Sequence, residues 1–276
     1  MIHKHWESSE MSDRTVLITG TSSGIGLATA VAAARAGWHV IATMRNTAKA
    51  GPLLAAAEEA GVTVDLRTLD VTDPASVQAC LAGVDRLDAL VNNAGAGHIG
   101  TLEQESVDDV RAVMEVNFFG VLHTTKAALP LLRASKGRVL TVTSVGGVVG
   151  QPFNEAYCAA KFAVEGYMES LAPVAATAGV SVSVIEPGAV ASEFVSNVGL
   201  TDDAAEQAGP YAPALAAYLD RTRGAFANAQ AAEDVAAGIL DLLAAERPAF
   251  RVLTSDVARA FAVPSAGSSP GHAVRR

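Results

Sequence analysis

An apolar run that leads directly into a glycine-rich turn constrains the fold of this chain more than any other feature. The run, Thr15-Val16-Leu17-Ile18-Thr19, is rich in β-branched residues and predicts a buried strand. It is followed by Gly20-Thr21-Ser22-Ser23-Gly24-Ile25-Gly26 and by an alanine-rich helix predicted over 27–36. Such an arrangement, with no Cβ at Gly24 and Gly26, lets backbone N–H groups hold a pyrophosphate. An ordinary turn is the alternative, but the position after the first strand favours nucleotide binding.

Composition limits the classes of partner. The chain has 276 residues, half of them hydrophobic and 5% aromatic, which suits small side chains packed closely on a parallel sheet. A net charge of −9 without a basic run argues against nucleic acid and anionic membranes as partners. Cys80 and Cys158 have no metal-ligand spacing, and no apolar run has membrane-spanning length. We therefore expect a soluble, cytoplasmic protein without a metal.

The patterning predicts one domain with two loose ends. Residues 1–12 lack periodicity and are predicted to be a disordered extension, and glycine, serine and proline near the end predict a loose tail over 256–276. Strands alternate with helices over 13–255, without a repeat or a linker. Within this domain the pattern weakens over 192–228. A segment of that length between a strand and a helix is typical of a lid that covers substrate.

The end of the second predicted strand, 38–43, favours one cofactor over another. A site selective for NAD usually carries an acidic residue here to bind the ribose 2′-hydroxyl. This chain instead continues with Met44-Arg45-Asn46. The guanidinium of Arg45 favours a 2′-phosphate through charge-assisted hydrogen bonds of roughly 1.5–3 kcal/mol. A solvated loop arginine is the alternative, and we predict NADP rather than NAD.

Polar residues also follow the next predicted strands, at the sheet edge where open α/β folds bind ligands. Asp70-Val71 closes the third strand beside the expected adenine position, with a helix cap as the rival role for Asp70. Asn92-Asn93-Ala94-Gly95 follows the fourth and either bonds neighbouring backbone beside a flat ring or forms a plain turn. Ser144 ends the fifth strand and would face the same crevice.

Two helical positions complete the candidate chemistry. Asn117 lies among apolar residues in a helix predicted over 107–132. Either its amide is buried and satisfied by backbone, or a local helix distortion turns its carbonyl toward a bound water. Tyr157 and Lys161 share one face of a later helix. An ammonium there stabilises the tyrosine phenolate, whose ordinary pKa is about 10, although this spacing alone is also typical of a surface pair.

Taken in order, these motifs resemble the short-chain dehydrogenase/reductase family over about 15–253. The resemblance implies an α/β fold: a single Rossmann-like doubly wound domain with a seven-stranded parallel sheet, order 3-2-1-4-5-6-7, and helices on both faces. It implies a catalytic tetrad of Asn117, Ser144, Tyr157 and Lys161. The cofactor-binding residues it implies are Gly20, Ser22, Ser23, Gly24, Ile25, Gly26, Arg45, Asp70, Val71, Asn93, Ala94, Gly95, Tyr157, Lys161, Pro187, Gly188, Val190 and Ser192.

A closer likeness, in 42–45, 144–147 and 151–158, is to estrogen-type hydroxysteroid dehydrogenases and their retinol dehydrogenase relatives. That branch uses NADP(H), and the likeness implies hydride transfer between the nicotinamide and a carbonyl or alcohol of a small, hydrophobic substrate. Its lid histidine is not matched, and Arg221 lies nearby. Substrate contacts are expected from Ser144, Tyr157, Phe194 and His98, with a surface loop role as the alternative for His98. The family's helix pairing implies a homodimer or homotetramer.

Two other functions compete with an enzyme of this kind. A redox-sensing protein that binds NADP without catalysis tends to lose the tyrosine or the lysine. A lyase or dehalogenase on the same scaffold has a remodelled nicotinamide site. Here all four tetrad positions are filled and the glycine turn is intact, so the sequence favours a dehydrogenase or reductase.

Overall fold

Seven parallel strands form a single sheet in the order β3-β2-β1-β4-β5-β6-β7. The structure, a computed structural model, describes residues 14–191, 208–227 and 229–262. The strands are β1 Thr15–Thr19, β2 His39–Met44, β3 Asp65–Thr68, β4 Ala89–Asn92, β5 Arg138–Val142, β6 Ser181–Glu186 and β7 Arg251–Leu253. This confirms the predicted doubly wound topology. Because the strand order reverses between β1 and β4, a crevice opens there at the carboxyl edge of the sheet.

Helices cover both faces of the sheet, as predicted. They are α1 Gly24–Arg35, α2 Gly51–Glu59, α3 Pro74–Leu81, α4 Val107–Met114, α5 Gly120–Ser135, α6 Glu155–Ala176, α7 Ala212–Ala227, α8 Ala232–Ala244 and α9 Asp256–Ala262. The predicted long helix over 107–132 is divided, because a π-helical turn, Glu115–Phe119, separates α4 from α5. None of the helices in the described ranges is long and apolar enough to cross a bilayer.

The central strands are buried on both sides, which explains their continuous apolar runs. Val16 and Ile18 point into a core under α1 and α8, whereas Leu17 points into a second core under α3, α5 and α6. All three side chains are at most 1% exposed. Burying each of them contributes roughly 1.5–3 kcal/mol. Small residues such as Ala30 and Ala33 let helix α1 lie close to the sheet, so the fold needs few aromatic side chains.

The carboxyl-terminal part of the chain is more ordered than the sequence predicts. A loose tail was expected from residue 256, but Asp256–Ala262 forms helix α9. Ser255 caps this helix by accepting a hydrogen bond from the Ala258 N–H at 3.1 Å. Ala258 is 1% exposed and packs beside Gly188. These local contacts outweigh the nearby glycine and proline signals. Residues 1–13 and 263–276 lie outside the described ranges.

Part of the predicted lid is also regular. Gly209–Tyr211 forms a short 3-10 turn and leads into helix α7, although the sequence pattern is weak over these residues. Leu215 of α7 is 2% exposed and packs with Ala208 and Phe153 in a small separate core. The apolar face of α7 is therefore attached to the domain beside the crevice. Residues 192–207 lie outside the described ranges, and among them are the predicted contacts Ser192 and Phe194.

Candidate active site

A cleft with a volume of about 1720 Å³ lies at the carboxyl edge of the sheet. This exceeds the roughly 300–1,000 Å³ of a pocket for one small ligand and suits a dinucleotide together with a substrate. The predicted residues that line it are Gly20, Ser22, Ser23, Gly24, Ile25, Arg45, Asp70, Val71, Asn93, Ala94, Gly95, Ser144, Tyr157, Lys161, Pro187, Gly188 and Val190. Residues from strands far apart in sequence thus meet at one place.

The glycine turn fits a pyrophosphate. Gly20 has φ +71° and lies against Ala94, where an added Cβ would be 2.8 Å from the Ala94 Cα. Helix α1 begins at Gly24 without an acidic residue in its first turn, and the side chain of its N-cap, Ser23, makes no capping hydrogen bond. The N–H groups of that first turn and the positive end of the helix dipole therefore face the cleft uncompensated. An anionic phosphate group suits such a place.

Gly26 has a packing role that the sequence did not show. It is not among the residues that line the cleft in the described structure, and its contact with a cofactor stays a prediction. An added Cβ would overlap the Gly20 carbonyl oxygen and the Asn93 Nδ2 atom. Helix α1 can therefore approach the turn only because residue 26 has no side chain.

Asn93 fastens the end of β4 to this turn. Its Nδ2 donates to the Thr19 carbonyl at 2.9 Å and to the Gly20 carbonyl at 3.0 Å. Its own backbone N–H donates to the Thr19 hydroxyl at 2.9 Å. The prediction that this amide bonds neighbouring backbone is confirmed. The short residues Ala94 and Gly95 that follow line the cleft.

Two cationic side chains line the cleft where the chain leaves β2. Arg45 follows β2, and Lys49 ends a 3-10 turn, Thr47–Lys49; both are exposed and both line the cleft. Within the described ranges neither side chain makes a hydrogen bond or an ion pair. Asp70, in contrast, accepts hydrogen bonds from the Thr72 N–H at 3.0 Å and the Thr72 hydroxyl at 2.7 Å. The sequence did not lead us to predict that Lys49 lines the cleft, although it lies only four residues after Arg45.

Asn117 combines the two alternatives that the sequence left open. It is fully buried in the π-helical turn, so the helix is indeed distorted there. Its Nδ2 donates to the carbonyls of Ala96 and Val113 at 2.9 and 3.0 Å, and its Oδ1 accepts from the Ala96 N–H at 3.2 Å. The amide is thus satisfied by backbone, while the π turn releases main-chain groups from regular helical pairing.

Lys161 is a buried cation close to Asn117. Its ammonium donates to the Val142 carbonyl at 3.2 Å, and the residue is 4% exposed. An added Cβ on Gly95 would lie 2.9 Å from Asn117 Oδ1 and 3.6 Å from Lys161 Nζ, so the two side chains meet at this glycine. Burial lowers the pKa of Lys161 to about 8, and the carboxylate of Glu165 opposes that shift. The ammonium therefore titrates near physiological pH.

The side chains of Ser144 and Tyr157 lie next to each other and both line the cleft. Ser144 ends β5, and its Oγ accepts a hydrogen bond from the Gly146 N–H at 3.0 Å. Burial raises the pKa of Tyr157 to about 12, and a hydrogen bond with Ser144 opposes the shift. The Lys161 Nζ lies 5.7 Å from the centre of the tyrosine ring. The sequence predicted that Lys161 lowers this pKa, but burial dominates, so the phenol holds its proton at neutral pH.

Comparison with known proteins finds a match over the part of the chain that carries these site residues. The family model described as short chain dehydrogenase matches residues 14–203. The chain belongs to the short-chain dehydrogenase family. It is therefore an NAD(P)-dependent oxidoreductase of the kind that interconverts carbonyls and alcohols. This confirms the resemblance that the motifs predicted.

Named relatives of this short-chain dehydrogenase cover most of the chain. Retinol dehydrogenase 8 from Bos taurus is 41% identical over 254 residues, which cover 88% of this chain and 81% of that protein. The 17-beta-hydroxysteroid dehydrogenase type 1 from Mus musculus is 42% identical over 257 residues, covering 89% and 75%. A solved short-chain dehydrogenase/reductase from Burkholderia phymatum, in complex with NAD, is 25% identical with a TM-score of 0.78, covering 92% and 93%.

Two further features of the site in this short-chain dehydrogenase concern His98 and helix α7. His98 is not among the residues that line the cleft; its Nε2 lies 2.8 Å from Glu105 Oε1, and Ile99 lines the cleft instead. The loop turns the histidine toward an acidic partner, and its contact with substrate stays a prediction. The sequence also missed that Tyr218 and Arg221 of helix α7 line the cleft, because α7 lay in the poorly patterned segment. Among the described residues no group of His, Cys, Asp and Glu side chains is arranged to hold a metal ion.

A buried pair of carboxyl groups lies next to this site. Glu165 is one helical turn after Lys161, and Glu186 ends β6; they are 4% and 0% exposed. Arg251 approaches both, with Nε 2.7 Å from Glu186 Oε1 and Nη2 3.0 Å from Glu165 Oε2. Burial raises the pKa of Glu186 to about 7, Glu165 adds to the shift, and Arg251 opposes it. Glu186 thus takes up a proton at a higher pH than an ordinary glutamate does.

We expect Glu186→Gln to change how stability depends on pH. Because the folded pKa is above the ordinary value of 4.5, the folded state holds the extra proton between about pH 4.5 and 7, and this group's stabilisation is lost as pH rises through that window. The slope from one group is at most about 1.4 kcal/mol per pH unit. Urea unfolding at several pH values should therefore show that the free energy of unfolding of the variant increases relative to that of wild type as pH rises from 5 to about 7. The exposed Glu58→Gln is the control, and equal pH slopes for wild type and Glu186→Gln would contradict the assignment.

Proposed function

We propose that this chain is an NADP(H)-dependent enzyme that interconverts a ketone or aldehyde and the corresponding alcohol on a small hydrophobic substrate. The observation that carries the proposal is the hydrogen bond between Ser144 and Tyr157 beside buried Lys161, within a cleft that suits a dinucleotide. When bound, the nicotinamide supplies or accepts the hydride. The chain's own residues bind the substrate oxygen and move its proton.

Ser144 and Tyr157 act on the substrate oxygen. In reduction the Ser144 hydroxyl hydrogen-bonds this oxygen and stabilises the negative charge that develops on it. Tyr157 then gives its phenolic proton to the same oxygen, and in oxidation the phenolate takes that proton back. The pKa of about 12 supports reduction, because the phenol is fully protonated at neutral pH.

Lys161 and Asn117 support the tyrosine. The Lys161 ammonium stabilises the phenolate that remains after proton transfer, and its pKa of about 8 allows it to exchange protons with water. Asn117 fixes the π turn through its three backbone hydrogen bonds. We assign to this turn a water that links Lys161 to solvent and restores the proton on Tyr157.

The cations at the far end of the cleft support a preference for NADP. Arg45 and Lys49 both line the cleft, and no acidic residue follows β2 at the place where a ribose 2′-hydroxyl would need one. The solved relative from Burkholderia phymatum contains NAD, so the family fold alone does not select NADP. The choice rests on this pair of charges, which match a 2′-phosphate.

We expect Arg45→Asp to shift the cofactor preference toward NAD. Losing a charge-assisted contact worth roughly 1.5–3 kcal/mol should lower kcat/KM for NADPH by about 10- to 100-fold, and the new carboxylate can bind a ribose hydroxyl of NADH. The measurement is kcat/KM for both cofactors with one ketone at fixed ionic strength. Arg247→Asp, an equal charge change at an exposed loop position outside the cleft, should leave the ratio unchanged. An unchanged ratio in Arg45→Asp would refute this role.

The substrate is assigned to the hydrophobic class by the cleft and by the relatives. The apolar side chains of Ile99, Val145, Pro152 and Val190 line the same cleft as Ser144 and Tyr157. The relatives are named for retinol and for a hydroxysteroid, both apolar alcohols. A panel of apolar ketones, aldehydes and quinones with NADPH, and of alcohols with NADP, tests the proposal through NADPH absorbance. Binding of NADPH without turnover of any member in either direction would favour a non-catalytic binding protein instead.

An oligomer is supported by the outer surface of α6 and the π turn. Phe119, Phe162 and Tyr167 are 41–45% exposed there, and Phe118 contacts both Phe119 and Tyr167 edge-on. Exposed aromatic side chains at one surface are typical of protein interfaces. We propose a homodimer or homotetramer through this surface. Light scattering of the purified protein tests it, and a monomer at micromolar concentration would refute it.

A further inference from the structure

Helix α7 brings an uncompensated positive charge to the cleft. Arg221 lines the cleft, and within the described ranges its guanidinium makes no hydrogen bond or ion pair. The neighbouring charges on the helix behave differently, since Arg223 Nη1 pairs with Asp220 Oδ1 at 2.5 Å. No carboxylate in the described part of the chain forms an ion pair with Arg221, so its charge is presented to the cleft there. It can accept an anionic ligand group.

Tyr218 adds a second donor on the same face of α7. The two residues are three positions apart, which places them one above the other on a helix, and both line the cleft. The Tyr218 oxygen accepts a hydrogen bond from Asn154 Nδ2 at 2.7 Å, and the hydroxyl also interacts with the side chain of Thr222. Its ring is held 5.6 Å from that of Phe153. Tyr218 is therefore positioned before any ligand arrives.

These donors lie beside the reacting groups. Asn154, which holds Tyr218, immediately precedes helix α6 and is one turn before Tyr157. The hydrogen bond between Asn154 and Tyr218 therefore ties helix α7 to the start of the helix that carries Tyr157. Ser144, Tyr157, Tyr218 and Arg221 all line the same cleft.

We propose that the natural substrate carries a carboxylate, which Arg221 and Tyr218 bind while Ser144 and Tyr157 hold its carbonyl or hydroxyl oxygen. This substrate class, an apolar oxo acid or hydroxy acid, rests on the proposed function. A planar guanidinium with an adjacent phenol matches the two oxygens of a carboxylate. The cofactor phosphates do not need Arg221, because the glycine turn and the Arg45–Lys49 pair already serve them.

The test compares acids with their neutral esters. The probes are 3-acetylbenzoate, 4-acetylbenzoate and 4-oxo-4-phenylbutanoate, each beside its methyl ester, with NADPH as reductant. Wild type should reduce at least one acid with a higher kcat/KM than its ester. Arg221→Gln should lower kcat/KM for that acid by about 10- to 100-fold and leave the ester nearly unchanged. Arg223→Gln, on the same helix but paired with Asp220, is the matched control and should leave both unchanged.

Failure of the subsite and failure of the proposed reaction give different results. If the esters are reduced with the same kcat/KM as the acids, or if Arg221→Gln slows the reduction of both equally, the proposed reaction is retained and the carboxylate subsite is wrong. If no probe is reduced, calorimetric titration of the acids into the NADP-loaded protein decides the subsite by itself. Binding of an acid that is weakened about 10-fold or more in Arg221→Gln, but not in Arg223→Gln, supports the subsite without turnover. Equal heats for wild type and Arg221→Gln overturn it.

Discussion

Replacing Tyr157 with phenylalanine will lower kcat for ketone reduction by about 10²–10⁴-fold, the usual contribution of a positioned general acid, while NADPH still binds. The substitution removes the phenolic proton and retains the ring, which is packed between Gly146 and the cleft. Ser144 keeps its hydrogen bond from the Gly146 N–H, so the oxygen-binding group stays in place. Steady-state turnover, together with NADPH fluorescence titration for binding, measures the two effects separately.

Tyr211→Phe provides the control for this loss, because Tyr211 is 43% exposed and does not line the cleft. It should reduce the same ketone at the wild-type rate. Near-normal turnover in Tyr157→Phe would remove Tyr157 from the mechanism. The pH profile adds a check: since the pKa of Lys161 is about 8, loss of its charge above that pH should slow reduction, although Tyr157 itself remains protonated to about pH 12.

The parts of the fold that follow from local patterns could be predicted from the sequence. Strand β1 is the clearest case: a five-residue apolar run before a glycine turn admits one structure, and the bounds agree at both ends. Ser144 could be placed at the cleft because a residue that ends a parallel strand must lie at the carboxyl edge. Tyr157 and Lys161 shared a face because the helical period requires it.

What could not be predicted depends on contacts between segments distant in sequence. The reason for Gly26 is the position of the Asn93 amide, which only the folded sheet brings beside the glycine turn. The raised pKa of Tyr157 comes from burial, which spacing from Lys161 does not show. Helix α7 was missed because its order comes from packing against Phe153, a residue of a different loop. The periodicity of a sequence shows which face of its own helix or strand a residue occupies. It does not show which residues of other elements pack against that face.

Gly26→Ala should destabilise the protein by about 3 kcal/mol and weaken NADPH binding at the same time. The added methyl group would overlap the Gly20 carbonyl oxygen and the Asn93 Nδ2 atom, and neither can yield easily. The carbonyl belongs to a turn with φ +71° at Gly20, and the amide is fixed by its bonds to Thr19 and Gly20. Helix α1 must therefore move away from the turn, which removes its first N–H groups from the phosphate position.

Gly166→Ala separates this steric effect from the general effect of replacing a helical glycine. Gly166 is exposed within helix α6, and nothing lies within 4 Å of an added Cβ. That variant should gain about 0.5–1 kcal/mol, because alanine loses less backbone entropy on folding. Thermal unfolding measures both, at about 2–4 °C per kcal/mol for a chain near this size. If the melting temperatures of the two variants shifted in the same direction, the packing role of Gly26 would be wrong. If only stability fell and NADPH affinity stayed normal, the turn would hold its shape without α1, and the coupling of helix position to phosphate binding would fail.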